Sequence, residues 1–314
     1  MGGGDGGIRQ WRLADGHEVG RQTGMGVNAV CVSRDQKWIV CGTTKGASVW
    51  DGEMTERVID VEDETEVWGV DVSPDSTRLA TGTYKYASIW SLASGERLVG
   101  PLEHDDYVTG LRFSPSGEHI ATAYWSGQAT CIFDSNTGDK LVTIKVDSPS
   151  WLGTPLAWST DAQRIYAACH DNKIKSLDIA TRSLFAESQI LLDGGGTIPS
   201  IALAPNGKFI VTFARHSILL LDTSTLTRID RVIEDSEEIR SVSISPDNRY
   251  LATGRHDGKI VIHDLSKILP DLYGPFHVSI RELVVLGCQK SPILSLLLTI
   301  YVGTHSRENP FDIG

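Results

Sequence analysis

One short phrase recurs seven times along the 314 residues, and its spacing leaves few architectures open. The phrase is an apolar residue, two variable residues, an apolar residue, a variable one, an apolar one, and usually Ser. It reads VNAVCVS ending at Ser33, VWGVDVS at Ser73, VTGLRFS at Ser114, GTPLAWS at Ser159, IPSIALA at Ala204 and IRSVSIS at Ser245. A looser copy, IRELVVL, ends at Leu286. Successive endpoints lie 40, 41, 45, 45, 41 and 41 residues apart. A period in the low forties with several short strands per unit predicts a repeat architecture of four-stranded sheets.

The remainder of each unit agrees. A polar turn follows the Ser, as in SPDSTR after Val72, SPSGEH after Phe113, APNGKF after Leu203 and SPDNRY after Ile244. Pro presets one backbone angle of such a turn, and Gly, Asn and Asp tolerate the positive one. A second apolar run comes next, LATG at Leu79 and Leu251. A third ends on an aromatic residue or His followed by Asp, at Trp50-Asp51, Phe133-Asp134 and His263-Asp264, with Trp90-Ser91 as a variant. SGERL and NTGDKL then read as turns entering a fourth strand. Runs of four to six residues suit strands and are too short for helices.

These SPD turns, LATG strands, the Asp257-Gly258 turn and the Trp-Asp or Phe-Asp ends resemble the WD-repeat β-propeller family over nearly the whole chain. The resemblance implies an all-β, seven-bladed β-propeller of four-stranded antiparallel blades. Family blades commonly join a His before the first strand, a Ser or Thr in the second, a loop Asp and the Trp ending the third. The repeats ending at Trp50 and Trp90 lack the Asp, the one ending at His263 keeps Asp257 without the Trp, and His104 belongs to a blade ending in Phe133. Most of these buried polar networks are therefore expected to be incomplete, leaving apolar packing between sheets to supply the stability.

The chain starts in mid-repeat. Asp5 to Trp11 has the Asp-to-aromatic spacing of Asp257 to His263 and predicts a third strand, with His17 to Gln22 as a fourth. Ile280 to Leu286 fits a first strand and Ile293 to Ile300 a second. The expectation is one composite blade, built from residues 7–22 and 279–300, that closes the propeller and removes its open edges. Residues 1–302 then form one domain and 303–314 a tail; the alternative is an aberrant tail over 266–314.

The chain has no cationic leader with an apolar stretch and cleavage site, and its longest apolar run, Ile293 to Val302, is about half of what a bilayer requires. Five Cys without metal or redox spacing read as reduced core thiols. The expectation is a cytoplasmic or nuclear protein with no membrane partner. A net charge of −11 argues against nucleic-acid binding, which needs a positive footprint. Glu62, Asp63, Glu64 and Glu66 precede one first strand, Asp105 and Asp106 the next, and Glu234, Asp235, Glu237 and Glu238 that of the last full repeat. Such links are either solvated loops or an acidic face that steers a basic partner.

No catalytic, cofactor or metal site is expected. Gly2, Gly4 and Gly7 spell GxGxxG, but Met1 leaves no room for the strand that motif requires. His170, His216 and His256 fall in equivalent loops of consecutive blades, which diverge radially, so they are read as loop residues, with Asp171 and Asp257 holding turns. Among the first strands VCVS, VDVS, LRFS, LAWS and IALA, Asp71 and Arg112 are the only charges and read as a structural pair. By resemblance, partners dock where fourth strands lead into first strands. The residues there are Asn28, Trp68, Thr109, Thr154, Pro199, Arg240 and Arg281, beside Tyr107 and Trp151. Of these, Trp68, Tyr107, Trp151, Arg240 and Arg281 are the candidate contacts, because Trp, Tyr and Arg dominate interface energetics. The functional expectation is a non-catalytic scaffold for protein or peptide partners. The alternatives are the sensing part of a larger receptor and, remotely, a propeller hydrolase or quinoprotein.

Overall fold

The computed structural model describes residues 7–12, 15–63, 65–124, 129–145, 156–169, 173–188, 200–229, 233–269, 283–288 and 297–302. Trp151, Arg281, Thr154, Pro199, His170, Asp171 and the tail from 303 lie outside these residues. The described chain is almost entirely strand. A hairpin of β1 (Ile8–Arg12) and β2 (Glu18–Gln22) is followed by a sheet of β3 (Ala29–Val32), β4 (Trp38–Thr43), β5 (Gly46–Asp51) and β6 (Arg57–Glu62). Next come β7 (Gly69–Val72), β8 (Arg78–Gly82) and β9 (Tyr84–Ser91). After them β10 (Arg97–Phe113) runs unbroken for 17 residues from the end of that sheet into the next, with β11 (His119–Tyr124), β12 (Ala129–Asp134) and β13 (Lys140–Lys145).

Two four-stranded sheets follow. One contains β14 (Leu156–Trp158), β15 (Arg164–Ala168), β16 (Ile174–Asp178) and β17 (Ser183–Glu187). The other contains β18 (Ile201–Leu203), β19 (Phe209–Ala214), β20 (Ser217–Asp222) and β21 (Ile233–Glu234). A three-stranded sheet of β22 (Ile239–Ile244), β23 (Tyr250–Arg255) and β24 (Ile260–Asp264) leads into the single-turn helix α1 (Leu265–Ile268). The last strands, β25 (Leu283–Cys288) and β26 (Leu297–Val302), join the first hairpin in the order β2-β1-β25-β26. All strand pairings are antiparallel, with Gln10 opposite Leu286.

That order corrects one expectation. The sequence pattern puts residues near 280–286 in the first place and those near 293–300 in the second, beside the N-terminal strand. Instead β25 pairs with β1, and β26 lies beyond it, against β3 on one side and β22 and β23 on the other. LVVLGC and LLTIYV are equally long and nearly all apolar. Such runs suit either inner position, so sequence alone does not fix their order.

The recurring phrase has a local physical cause. Ser33 Oγ–H donates to Asp35 Oδ1 (2.6 Å), and Ser33 Oγ itself accepts the Trp38 N–H (3.0 Å). Ser73 with Asp75, Ser159 with Asp161 and Ser245 with Asp247 repeat the arrangement. These four turns each contain one residue of positive φ, at Gln36, Ser76, Ala162 and Asn248, and the equivalent turns after Ser114 and Ala204 place Gly117 and Gly207 there. This is the geometry of a type I turn with a left-handed third residue, which reverses the chain between adjacent strands. The Asp ending the third strand holds the next turn, as Asp134 Oδ1 accepts the N–H groups of Asn136 and Thr137 at 2.8 and 2.9 Å.

The core is divided among the spaces between consecutive sheets. Ile8 packs with Ile39 and Trp50, Val40 with Val70 and Leu79, and Ile89 with Leu111 and Ile120. Ile132 packs with Leu156 and Ile165, Ile174 with Ile201 and Ile210, and Phe209 with Ile239 and Leu251. Complete burial of a Leu or Ile is worth about 1.5–3 kcal/mol, so these layers outweigh the polar contacts between sheets. Ile8 is fully buried in this packing. Ile8→Ala is expected to cost about 2–4 kcal/mol in urea unfolding, whereas a loosely attached terminus would cost nothing.

The buried polar networks are partial. Trp90 Nε1–H donates to Thr81 Oγ1 at 2.8 Å, and Thr253 Oγ1 lies 3.3 Å from His263 Nε2. Trp50 pairs with Ile39 as Trp90 pairs with Leu79, which puts Cys41 where Thr81 stands. The buried Trp50 Nε1 has no hydrogen-bond acceptor. Cys41→Thr should raise stability by about 1 kcal/mol by supplying one. Cys41→Val, of similar volume but without an acceptor, should give no such gain in thermal unfolding.

Candidate aromatic and acidic rim

The described links from fourth strands to first strands carry the sequence-predicted contacts, and the structure joins two of them. Trp68, just before β7, meets Tyr107 edge-on with ring centroids 5.7 Å apart. A third ring, Tyr84 at the start of β9, lies 4.8 Å from Tyr107 and is its cross-strand partner. Tyr84 and Tyr107 remain 42% and 37% exposed, and Trp68 is half-buried. Large rings left at the surface carry both apolar area and a π face.

Close backbone approach builds this cluster. A Cβ on Gly82 would come within 2.5 Å of the Val108 carbonyl oxygen, and one on Gly69 within 3.1 Å of that of Thr109. With glycine at both places, the second half of β10 seats against β7 and β8. The Val108 N–H also donates to the Thr83 carbonyl at 2.9 Å. Tyr107 is thereby carried over Trp68 and Tyr84. Sequence reasoning identified Trp68 and Tyr107 but missed Tyr84, whose part in the cluster comes from its contact with Tyr107.

Acidic residues flank the rings along the chain. Glu62, Glu66, Glu103 and Asp105 are exposed, and Asp63 accepts the Tyr86 hydroxyl at 2.7 Å. Asp106 Oδ1 accepts the Tyr107 N–H at 2.8 Å. Arg240 belongs to another sheet, where its guanidinium meets Glu238 at 3.1 Å. Nearby, Arg255 lies 3.4 Å from Asp235 and 3.6 Å from Asp257. Asp257 also accepts the Lys259 N–H at 3.1 Å, holding its turn. His256 and His216 enter this region through their backbones, by the His256 N–H to Glu238 and the Asp235 N–H to the His216 carbonyl.

Asp71 and Arg112 pair across neighbouring first strands at 3.3 Å. Burial pushes the Asp71 carboxyl up, while Arg112 and the Phe113 N–H, 2.8 Å from Oδ2, oppose the rise. The Arg112 carbonyl in turn accepts Trp158 Nε1–H at 2.9 Å, linking β7, β10 and β14. Both charged groups are thus committed to backbone and to each other. Among the described residues no group of three or more His, Cys, Asp or Glu side chains is placed to hold a metal ion, and no helix is long and apolar enough to cross a membrane.

The geometry can now be set beside known proteins. Residues 15–51, 57–91, 97–132 and 229–264 match the family described as WD domain, G-beta repeat. The chain thus carries four WD repeats. It is 24% identical over 180 residues to Pre-mRNA-processing factor 19 homolog 2 of Arabidopsis thaliana, covering 55% of this chain and 33% of that protein. It is 25% identical to WD repeat-containing protein 1 of Xenopus tropicalis, covering 50% of this chain and 26% of that one. It is 37% identical over 83 residues to Small ribosomal subunit protein RACK1 of Drosophila melanogaster, covering 24% of this chain and 25% of the relative. The chain thus spans a third or less of the length of these relatives. In structure it is similar to Kuenenia stuttgartiensis Hydrazine Synthase, with a TM-score of 0.66 over 79% of this chain and 80% of that one, at 15% identity. That likeness concerns the fold alone.

One rim residue reports on pH. The ring of His104, in β10, is held between the Leu102 carbonyl, 2.8 Å from Nδ1, and Thr122 Oγ1, 2.8 Å from Nε2, and packs on Tyr124 and Phe133. A neutral imidazole satisfies both contacts, donating from Nδ1 and accepting at Nε2. Burial lowers its pKa from 6.5 to about 4. The folded value is below the unfolded one, so this contribution is complete above about pH 6.5 and fades as pH falls toward about 4. Wild type should lose about 2 kcal/mol more stability than His104→Gln between pH 7 and pH 5, measured by denaturant unfolding at both pH values.

Proposed function

We propose that this WD-repeat chain is a non-catalytic scaffold that presents the acidic, aromatic rim to protein or peptide partners, basic ones being favoured. The observation that carries this reading is the cluster of exposed Tyr84 and Tyr107 on the half-buried Trp68, flanked by carboxylates. Trp and Tyr dominate interface energetics, and an acidic surround speeds encounter with a basic partner. The scaffold in this reading is a closed propeller of seven blades over residues 1–302. Two findings support it: a core cluster lies in the space between each pair of successive sheets from β1 to β24, and β26 touches both β3 and β22. No cofactor or nucleic acid enters this reading, and a cytoplasmic or nuclear setting suits it. Because the chain spans only part of its relatives, a role as the binding portion of a longer protein fits the same surface.

An enzymatic role has less support. Of the charges on the described first strands, Asp71 and Arg112 are tied to each other and to backbone, and Arg240 is paired with Glu238. The scaffold reading is tested by affinity capture from the source cell. Trp68→Ser with Tyr107→Ser alters this rim, and Gln163→Ala with Lys208→Ala alters the hairpins at the opposite ends of the strands. Loss of the captured partners with the first pair and retention with the second is expected. The reverse pattern would place the binding surface on the other face.

A further inference from the structure

We propose that the Trp68–Tyr84–Tyr107 cluster is a seat for the ammonium group of a partner lysine, and that Lys85 fills this seat in the unbound protein. The inference rests on the rim reading above and names the side chain that the rim recognises. Lys85 Nζ lies 5.2 Å from the centroid of the Tyr84 ring, within reach of the attraction between a cation and an aromatic face. Its backbone has a φ of 68°, a left-handed conformation that L residues adopt at a cost. The hairpin thus carries its own ammonium group to the ring at the expense of an unfavourable backbone angle. Among the described residues of the segments 62–66, 84–86 and 103–107, Lys85 is the only Lys or Arg, accompanied by six carboxylates. The surround is therefore complementary to more positive charge than the chain itself supplies. The two exposed rings lie in contact, with centroids 4.8 Å apart, so a cation seated on Tyr84 lies close to a second aromatic ring.

The occupant is a lysine-bearing peptide segment, and the seat makes two demands on it. It needs positive charge, which acetylation removes while largely preserving shape. It must also compete with Lys85, so removing Lys85 should strengthen binding. Removing a lysine outside those segments changes the net charge equally but opens no ring.

The probes are pentalysine and its fully acetylated form, titrated calorimetrically into the full chain. In parallel, the Trp68 indole N–H resonance is followed, assigned by its loss in Trp68→Phe. Pentalysine should bind and shift that resonance, and the acetylated peptide should bind at least tenfold more weakly. Tyr84→Ala and Tyr107→Ala should each weaken binding about tenfold, while Tyr84→Phe and Tyr107→Phe, which keep the rings, should not. Lys85→Ala should tighten binding at least threefold, and Lys45→Ala, an exposed lysine in the corresponding turn of the preceding sheet, should not.

The proposal is overturned if pentalysine does not bind, if the alanine variants bind it as wild type does, or if Lys85→Ala and Lys45→Ala strengthen binding equally. Loss of cellular capture by the rim variants, combined with pentalysine binding that ignores the rings, would leave the scaffold reading standing and remove the lysine seat.

Discussion

Each sheet in this protein is too small to bury its own apolar residues, and the fold depends on how that is resolved. The central strands have apolar side chains on both faces, as in the burial of Ile39, Val40 and Cys41 side by side in β4. A four-stranded sheet alone would leave both faces wet. Stacking against a neighbour on each side removes them from water, and every neighbour then needs another. This is why the core appears as separate layers, and why Ile8, close to the start of the chain, is as completely buried as Ile120. The outer strands escape this requirement on one side. They expose Val58 and Leu141 beside Arg57 and Lys140, whose charges discourage pairing with another chain.

The turns convert that stacking requirement into a readable sequence. A hairpin that must turn within three residues needs a positive φ, and the Ser-Asp pair satisfies the backbone around it. Those demands repeat in every unit, so the phrase repeats with them. The period therefore exposed the units ending at Asp178 and Asp222, although neither lies wholly within a family match. Their third strands end in Leu-Asp rather than Trp-Asp, and their packing needs an apolar residue of that size, not the indole.

What remained hidden in the sequence was chiefly long-range. The SGERL turn and the fourth strand after it are legible, but nothing in RLVGPLEHDDYVTGLRF reveals that it runs as one strand across two sheets. Continuity there depends on whether the backbone turns at residues 103–107, and charged residues alone do not decide that. The order of β25 and β26 was ambiguous because both runs are apolar on either face. Tyr84 was overlooked because its significance comes from Tyr107, its partner 23 positions later, through a register that the bulges of β10 set. Trp68 and Tyr107 could be singled out one at a time; their contact could not.

The same long strand connects the fold to the site. Because β10 leaves one sheet and enters the next without a loop, the segment bearing Glu103, Asp105 and Asp106 is anchored on either side, by the pairing of Glu103 with Tyr86 and of Tyr107 with Tyr84, instead of hanging free. His104 fixes it from beneath, through Leu102 and Thr122, and Gly82 lets Val108 approach closely enough to seat Tyr107. A rim built in this way loses little conformational freedom when a partner binds, so contact energy is not spent on ordering a loop. The acidic links elsewhere do not share this support. Arg240 and Arg255 already pair with the acids of the last full repeat, at Glu238, Asp235 and Asp257. Within the described acidic links, the segments around β10 are therefore where negative charge, exposed rings and a rigid backbone coincide.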